Sequence, residues 1–200
     1  MLKSTLLACG VLASISLGQD IAHCTHQVAN TPLTVKFKGD YINAKKNNVS
    51  VDVEWHHNPA AQDTFYIIAT GTEAQMFVTA GEHRYVIYGK TKAKRQIGAR
   101  HLRENIGETP MKYDDLELLA NGWFLHPDSA NVPNVILSAF PETQAEFTLD
   151  TLPYPMNISV KRWNDDRSYE ITEWKEFSGA MLPANTKITG KNFSGNIVFY

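Results

Sequence analysis

Glu54, His56 and His57 are the first residues of this chain whose types could hold a metal or move a proton. Carboxylate and imidazole both bind zinc, but a zinc site normally takes three or four such groups. On an extended segment successive side chains point to opposite faces, so Glu54 and His56 share a face while His57 points away. Two ligands then converge, which is too few. His23, Cys24 and His26 form a second small cluster in a polar, unpatterned stretch. Surface histidines account for both groups. Asp114–Asp115 and Asp165–Asp166 are carboxylate pairs in sequence only, because neighbours on a helix do not face one another. They read as charge in the first half of a helix and as a turn. A nucleophile elbow, a His-Glu-x-x-His motif, a phosphate loop and a dinucleotide fingerprint are absent from the sequence. The expectation is a protein that is not an enzyme, with no metal and no cofactor.

Lys90 to Arg103 is the other chemically marked stretch, with six Lys/Arg residues interleaved with Ile97 and Leu102. Lys90, Lys92, Lys94 and Arg95 suit an anionic membrane surface, where each charge contributes about 1 kcal/mol. A solvated loop or helix face is the plainer reading of the same run. Nucleic acid is not expected, since the run lacks stacking aromatics and the whole chain carries a net charge of −2.

The 200 residues fit one domain, and a composition 43% hydrophobic and 20% charged is that of a chain with a packed core. The first residues read as an address. Lys3 precedes an uncharged apolar stretch from Ser4 to Gln19, and Ser16-Leu17-Gly18 offers small residues for cleavage. This predicts a signal peptide over 1–18, a flexible leader over 19–32, one domain over 33–200, and export to a periplasm. Leu6-Leu7-Ala8-Cys9 resembles a lipobox, which would make the protein an outer-membrane lipoprotein, although only eight residues precede Cys9. After cleavage Cys24 is the sole cysteine, so packing rather than a disulfide must hold the domain together.

The elements that must position any site are mostly strands. Leu33, Val35 and Phe37 alternate with polar residues, as do Val49, Val51, Val53 and Trp55. Phe65–Thr70, Gln75–Ala80 and Arg84–Gly89 are short apolar runs separated by turn residues, a meander of hairpins. Trp123 to Phe140 is loop-like, with a short apolar run at Val135-Ile136-Leu137. Strands resume at Ala145–Leu149, Met156–Val160, Ser168–Glu176, Leu182–Ile188 and, after a turn over Gly190–Gly195, Ile197–Tyr200. One segment is clearly helical, Thr109–Gly122. Thr109 suits the N-cap, Pro110 the first helical position and Asn121–Gly122 the C-cap. Tyr113, Leu116, Leu119 and Ala120 form its apolar stripe. The class is mainly β (α+β), about ten strands with one helix over them.

This order resembles the periplasmic lipoprotein-sorting proteins of the LolA/LolB type. The resemblance rests on the early strand meander, on the mid-chain segment MKYDDLELLANGWF, and on Ile171-Thr172-Glu173-Trp174 followed by Leu182-Pro183 and an alternating strand. It implies an antiparallel, unclosed β-barrel or strongly curved sheet whose concave face is covered by a helix and takes lipid acyl chains or a lipidated protein. On that reading the candidate cavity residues are Leu33, Val35, Phe37, Val49, Val51, Val53 and Trp55 from the strands, with Leu116 and Leu119 from the helix. An ordinary filled core is the alternative, in a structural or interaction protein of the envelope.

Overall fold

The period-two runs become strands because alternation puts every apolar side chain on one face, where it can leave water. The structure is a computed structural model that describes residues 32–58, 60–80, 83–120, 136–139, 145–149, 156–161 and 165–200. The expected signal peptide, the Cys9 lipobox, the His23–Cys24–His26 cluster and the Asn121–Gly122 C-cap lie outside those residues.

The first half is β1 (Leu33–Ile42), β2 (Asn48–His57), β3 (Asp63–Ala69), β4 (Gln75–Ala80), β5 (His83–Tyr88) and β6 (Lys94–Gln96). Two helices follow, α1 (Ala99–Leu102) and α2 (Tyr113–Ala120). The second half is β7 (Ile136–Ala139), β8 (Ala145–Leu149), β9 (Asn157–Lys161), β10 (Arg167–Phe177), β11 (Ala180–Gly190) and β12 (Phe193–Phe199). All twelve lie in one sheet, in the order β6-β5-β4-β3-β2-β1-β12-β11-β10-β9-β8-β7, and every adjacent pair is antiparallel. Strands β6 and β7 are the free edges, so the curved sheet stays unclosed. Each half is a meander, and β1 with β12 joins the two. Both helices lie in sequence between β6 and β7, the two edge strands, and α2 packs its apolar residues on the covered face of the sheet.

Register aligns the buried face. Val35 lies opposite Trp55, Phe37 opposite both Val53 and Phe199, and Phe65 opposite both Trp55 and Phe77. Trp55 and Phe65 stack at 5.7 Å with their planes 9° apart. Leu116 and Leu119 of α2 belong to the same buried cluster, as do Leu102 and Ile106 before it. Fully burying one such side chain contributes roughly 1.5–3 kcal/mol, so the covered face dominates the stability of the fold.

The expected mainly β, unclosed curved sheet is present, and among the described residues it has twelve strands. Three local readings need correction. Strand β6 falls within the basic run: its three residues are all exposed, and backbone pairing with β5 defines it where no apolar pattern could. Lysine on such an edge also discourages pairing with other chains. Strand β7 falls in the segment read as loop-like, where four residues are too few to show a period. Strand β12 begins at Phe193, inside the expected Gly190–Gly195 turn.

The helix starts at Tyr113, three residues after Pro110, the expected first helical position. The Thr109 hydroxyl donates to the Ile106 carbonyl at 2.8 Å and caps nothing. The end is capped instead by Asp115, whose carboxylate accepts the Lys112 N–H at 2.8 Å, half of a capping box.

Gly39 and Gly195 flank the Tyr41 ring. A β-carbon on Gly39 would lie 2.5 Å from the Tyr41 hydroxyl oxygen, and one on Gly195 would lie 2.5 Å from ring atom Cδ1. Gly39→Ala is expected to destabilise by about 1–3 kcal/mol, the usual range for overpacking, read as a lower urea midpoint at constant slope.

Candidate functional site

Helix α2 carries few residues, and its polar anchors gather at its N-terminal end. Tyr113, Leu116 and Leu119 are buried toward the sheet. The Tyr113 hydroxyl donates to Gln75 Oε1 of β4 at 2.8 Å, and its ring lies 5.3 Å from Phe77. Burial pushes the Tyr113 phenol up to about 12, so it stays a donor.

The N-terminal end is held by charge. Arg167, the first residue of β10, has a side chain only 1% exposed. It donates to Asp115 Oδ2 at 2.8 Å, to Asp165 Oδ2 at 2.7 Å and to the Pro110 carbonyl at 2.8 Å. Lys112 reaches the same Asp165 oxygen at 2.8 Å. Burial alone would favour loss of the guanidinium charge; Asp115 and Asp165 reverse that and raise its pKa. For Asp165 burial pushes upward, but hydrogen bonds and charge from Arg167 and Lys112 pull its pKa below the ordinary carboxylate value. The latch joins α2, the segment before it and the second half of the sheet.

Between α2 and the sheet lies a cavity of about 30 Å³, lined by Phe37, Tyr41, Leu116, Leu119, Ile188 and Phe199 among others. That volume holds about one water molecule. In this conformation α2 covers the apolar face and leaves little room beneath it, so a longer ligand needs α2 to lift.

Of the sequence-derived cavity candidates, Phe37, Leu116 and Leu119 line this space. Val35, Val51, Val53 and Trp55 are buried on the same face in the surrounding core. Leu33 borders an open depression with His57 at one margin, and Val49 borders another with Tyr41 and Ile188. Tyr41, Asp115 and Arg167 were not among the candidates. Tyr41 keeps the parity of Leu33, Val35 and Phe37, and Arg167 that of Tyr169 and Ile171. Reading the alternation through Gly39 and back through Tyr169 is the signal that finds them.

Glu54 and His56 share a face and His57 points away as expected, but His57 is buried and not the surface histidine expected. His56 pairs with Glu54 Oε1 at 2.8 Å on the outer face. His57 is buried, with Nδ1 2.5 Å from Asp63 Oδ1, which also accepts the Trp55 indole N–H at 2.9 Å. This pair anchors Trp55. Among the described residues no three metal-ligating side chains gather.

The fold has solved counterparts. A domain from Vibrio parahaemolyticus described for outer membrane lipoprotein sorting superposes with a TM-score of 0.59 at 11% identity, over 92% of this chain and 88% of its own. A LolA superfamily protein from Nitrosomonas europaea gives 0.62 at 7% identity, over 94% and 92%. A DUF1329 family protein from Desulfovibrio piger gives 0.53 at 9% identity, over 90% and 89%. The chain has the LolA-like fold. No protein-family model and no curated protein matches it by sequence, so at these identities the likeness carries the architecture alone.

The outer face of this LolA-like sheet is uneven. On β1 and β2 it is charged and paired, with Lys36 3.1 Å from Glu54 and Lys38 2.9 Å from Asp40. On β3 to β5 it is apolar: Tyr66 is 50% and Ile68 66% exposed. Register runs Tyr66, Met76, Ile87 and Lys94 in one row across β3 to β6. Lys94 lies 3.9 Å over the Tyr85 ring, and Lys90, Lys92 and Arg95 beside it are exposed.

Proposed function

We propose that the protein is an exported, non-enzymatic carrier that shields acyl chains of a lipidated protein or other apolar cargo in the cell envelope. The observation that carries this reading is the apolar concave face covered by a helix that a polar latch holds at one end. Each methylene moved from water onto such a face gains about 0.8 kcal/mol, and a helix attached through few residues is a cover that cargo can displace. The domain of like fold named for outer membrane lipoprotein sorting, and the one named for the LolA superfamily, support the reading. Leu33, Val35, Phe37, Val49, Val51, Val53 and Trp55 would form the floor beneath the cargo, and Leu116 and Leu119 the cover.

The basic residues Lys90, Lys92, Lys94 and Arg95, beside the apolar row of Tyr66, Met76 and Ile87, suit contact with an anionic bilayer. Replacing Lys90, Lys92 and Lys94 by glutamine together is expected to weaken binding to phosphatidylglycerol vesicles by about 3 kcal/mol, from about 1 kcal/mol per charge. Flotation at two salt concentrations checks this, since the wild type but not the variant should respond steeply to salt.

A second reading draws on the small size of the cavity: an envelope interaction protein with a permanently filled core. Native mass spectrometry with lipid extraction, on chain purified from a periplasm, separates the two. Bound acyl species at fixed stoichiometry support the carrier. An apo mass that persists when acylated peptide is added supports the filled core.

A further inference from the structure

Tyr41 ends the alternation of β1 beneath α2, on the sheet side of the small cavity. Its hydroxyl is the one buried side-chain polar atom without a hydrogen-bond partner among the described residues. A buried donor left unmade weakens a fold, and native proteins rarely keep one without a use. The surroundings hold this ring in place. Gly39 and Gly195 leave the room that its edge and hydroxyl occupy, and Phe193 meets it edge-on at 6.3 Å. Arg167 does not supply the missing partner, because its fork is taken up by Asp115, Asp165 and the Pro110 carbonyl. Burial raises the Tyr41 pKa, so the group remains a protonated donor.

The space beside this neutral donor is lined mainly by apolar groups, among them Phe37, Leu116, Leu119, Ile188 and Phe199, with the paired Asp115 and Arg167 also lining it, and it fits a ligand of matching pattern: one acceptor oxygen on an apolar chain. We propose that Tyr41 donates a hydrogen bond to the carbonyl oxygen of an acyl group while the methylenes take the space that Leu116 and Leu119 vacate. The inference rests on the carrier reading and deepens it, because it makes the site selective for acyl over plain alkyl chains. Tyr41 stands on the sheet, so it keeps its place when the helix lifts. The carbonyl of a fatty acid and that of an acylated cysteine offer the same acceptor.

Tyr41→Phe tests this, since it removes one oxygen and keeps the ring. The probes are palmitic acid, a peptide carrying a dipalmitoylglyceryl cysteine, and the same peptide with ether-linked hexadecyl chains. Full-length wild type is expected to bind at least one carbonyl-bearing probe about five- to tenfold more tightly than the ether peptide, the fold-change typical of one hydrogen bond. The variant should lose that preference and melt at a higher temperature. A preference confined to palmitic acid identifies free fatty acid as the source, and one confined to the ester peptide identifies acylated protein. If the variant keeps the wild-type preference, or if wild type has none while binding all three probes, Tyr41 does not read the carbonyl and the carrier reading stands. If wild type binds none of the probes, both fall together.

Discussion

Arg167→Ala is expected to lower the unfolding free energy by about 3–5 kcal/mol, the range for breaking a buried ion pair by removing one partner. The change leaves Asp165 with only the Lys112 ammonium of its two cations, removes the guanidinium from Asp115 and leaves the Pro110 carbonyl without that donor. Urea unfolding at neutral pH checks the magnitude. Acidification supplies a second check. The Asp165 carboxyl titrates below its ordinary value in the folded protein, so the unfolded chain binds more protons around that value. Its contribution is therefore present above about pH 4 and is lost as pH falls through the folded pKa. The variant lacks the guanidinium that depresses this carboxyl. The stability gap between the two proteins should accordingly narrow as pH drops from 6 toward about 3. A gap that is constant with pH would mean that Arg167 acts through packing alone.

Leu119→Asp is the second large effect. Leu119 is buried against the sheet, and an unpaired carboxylate does not stay in such a contact. Losing the leucine alone costs about 2–5 kcal/mol. The chain can escape part of that by releasing α2 while the strands stay paired. Hydrogen exchange should then show lost protection for the amides of Tyr113–Ala120 and retained protection in β1, β2 and β12. Acyl species recovered per chain should fall as well. Leu119→Met, which nearly conserves volume, is the control and should cost less than about 1.5 kcal/mol. Survival of both stability and cargo binding in Leu119→Asp would show that the helix is not a lid.

Much of the architecture was legible because a sheet with one covered face writes itself as alternation. Val49, Val51, Val53 and Trp55 announced β2, and all four are buried. Strands held by backbone pairing leave no such trace: Lys94–Gln96 pairs with β5 although all three residues are exposed. The helix was legible in its stripe and not in its start. Thr109-Pro110 has the composition of an N-terminus, but Arg167, 57 residues away from Pro110 in sequence, takes the Pro110 carbonyl. Local propensity carries no information about that partner. For the same reason Asp115 and Asp165 read as helix charge and turn, and their meeting at one guanidinium emerges only in three dimensions. The aliphatic part of the site followed from periodicity; its polar part did not.

The order of the strands has a consequence for how the molecule assembles. Ten of the eleven strand pairings join neighbours in sequence, and one, β1 with β12, joins Phe37 to Phe199. Each meander can zip locally, whereas the seam must close a loop of nearly the whole chain, which is entropically slow. Folding should therefore be late and all-at-once at the seam, with both halves waiting until the last strand is available. Until that strand pairs, neither half can bury its apolar face completely.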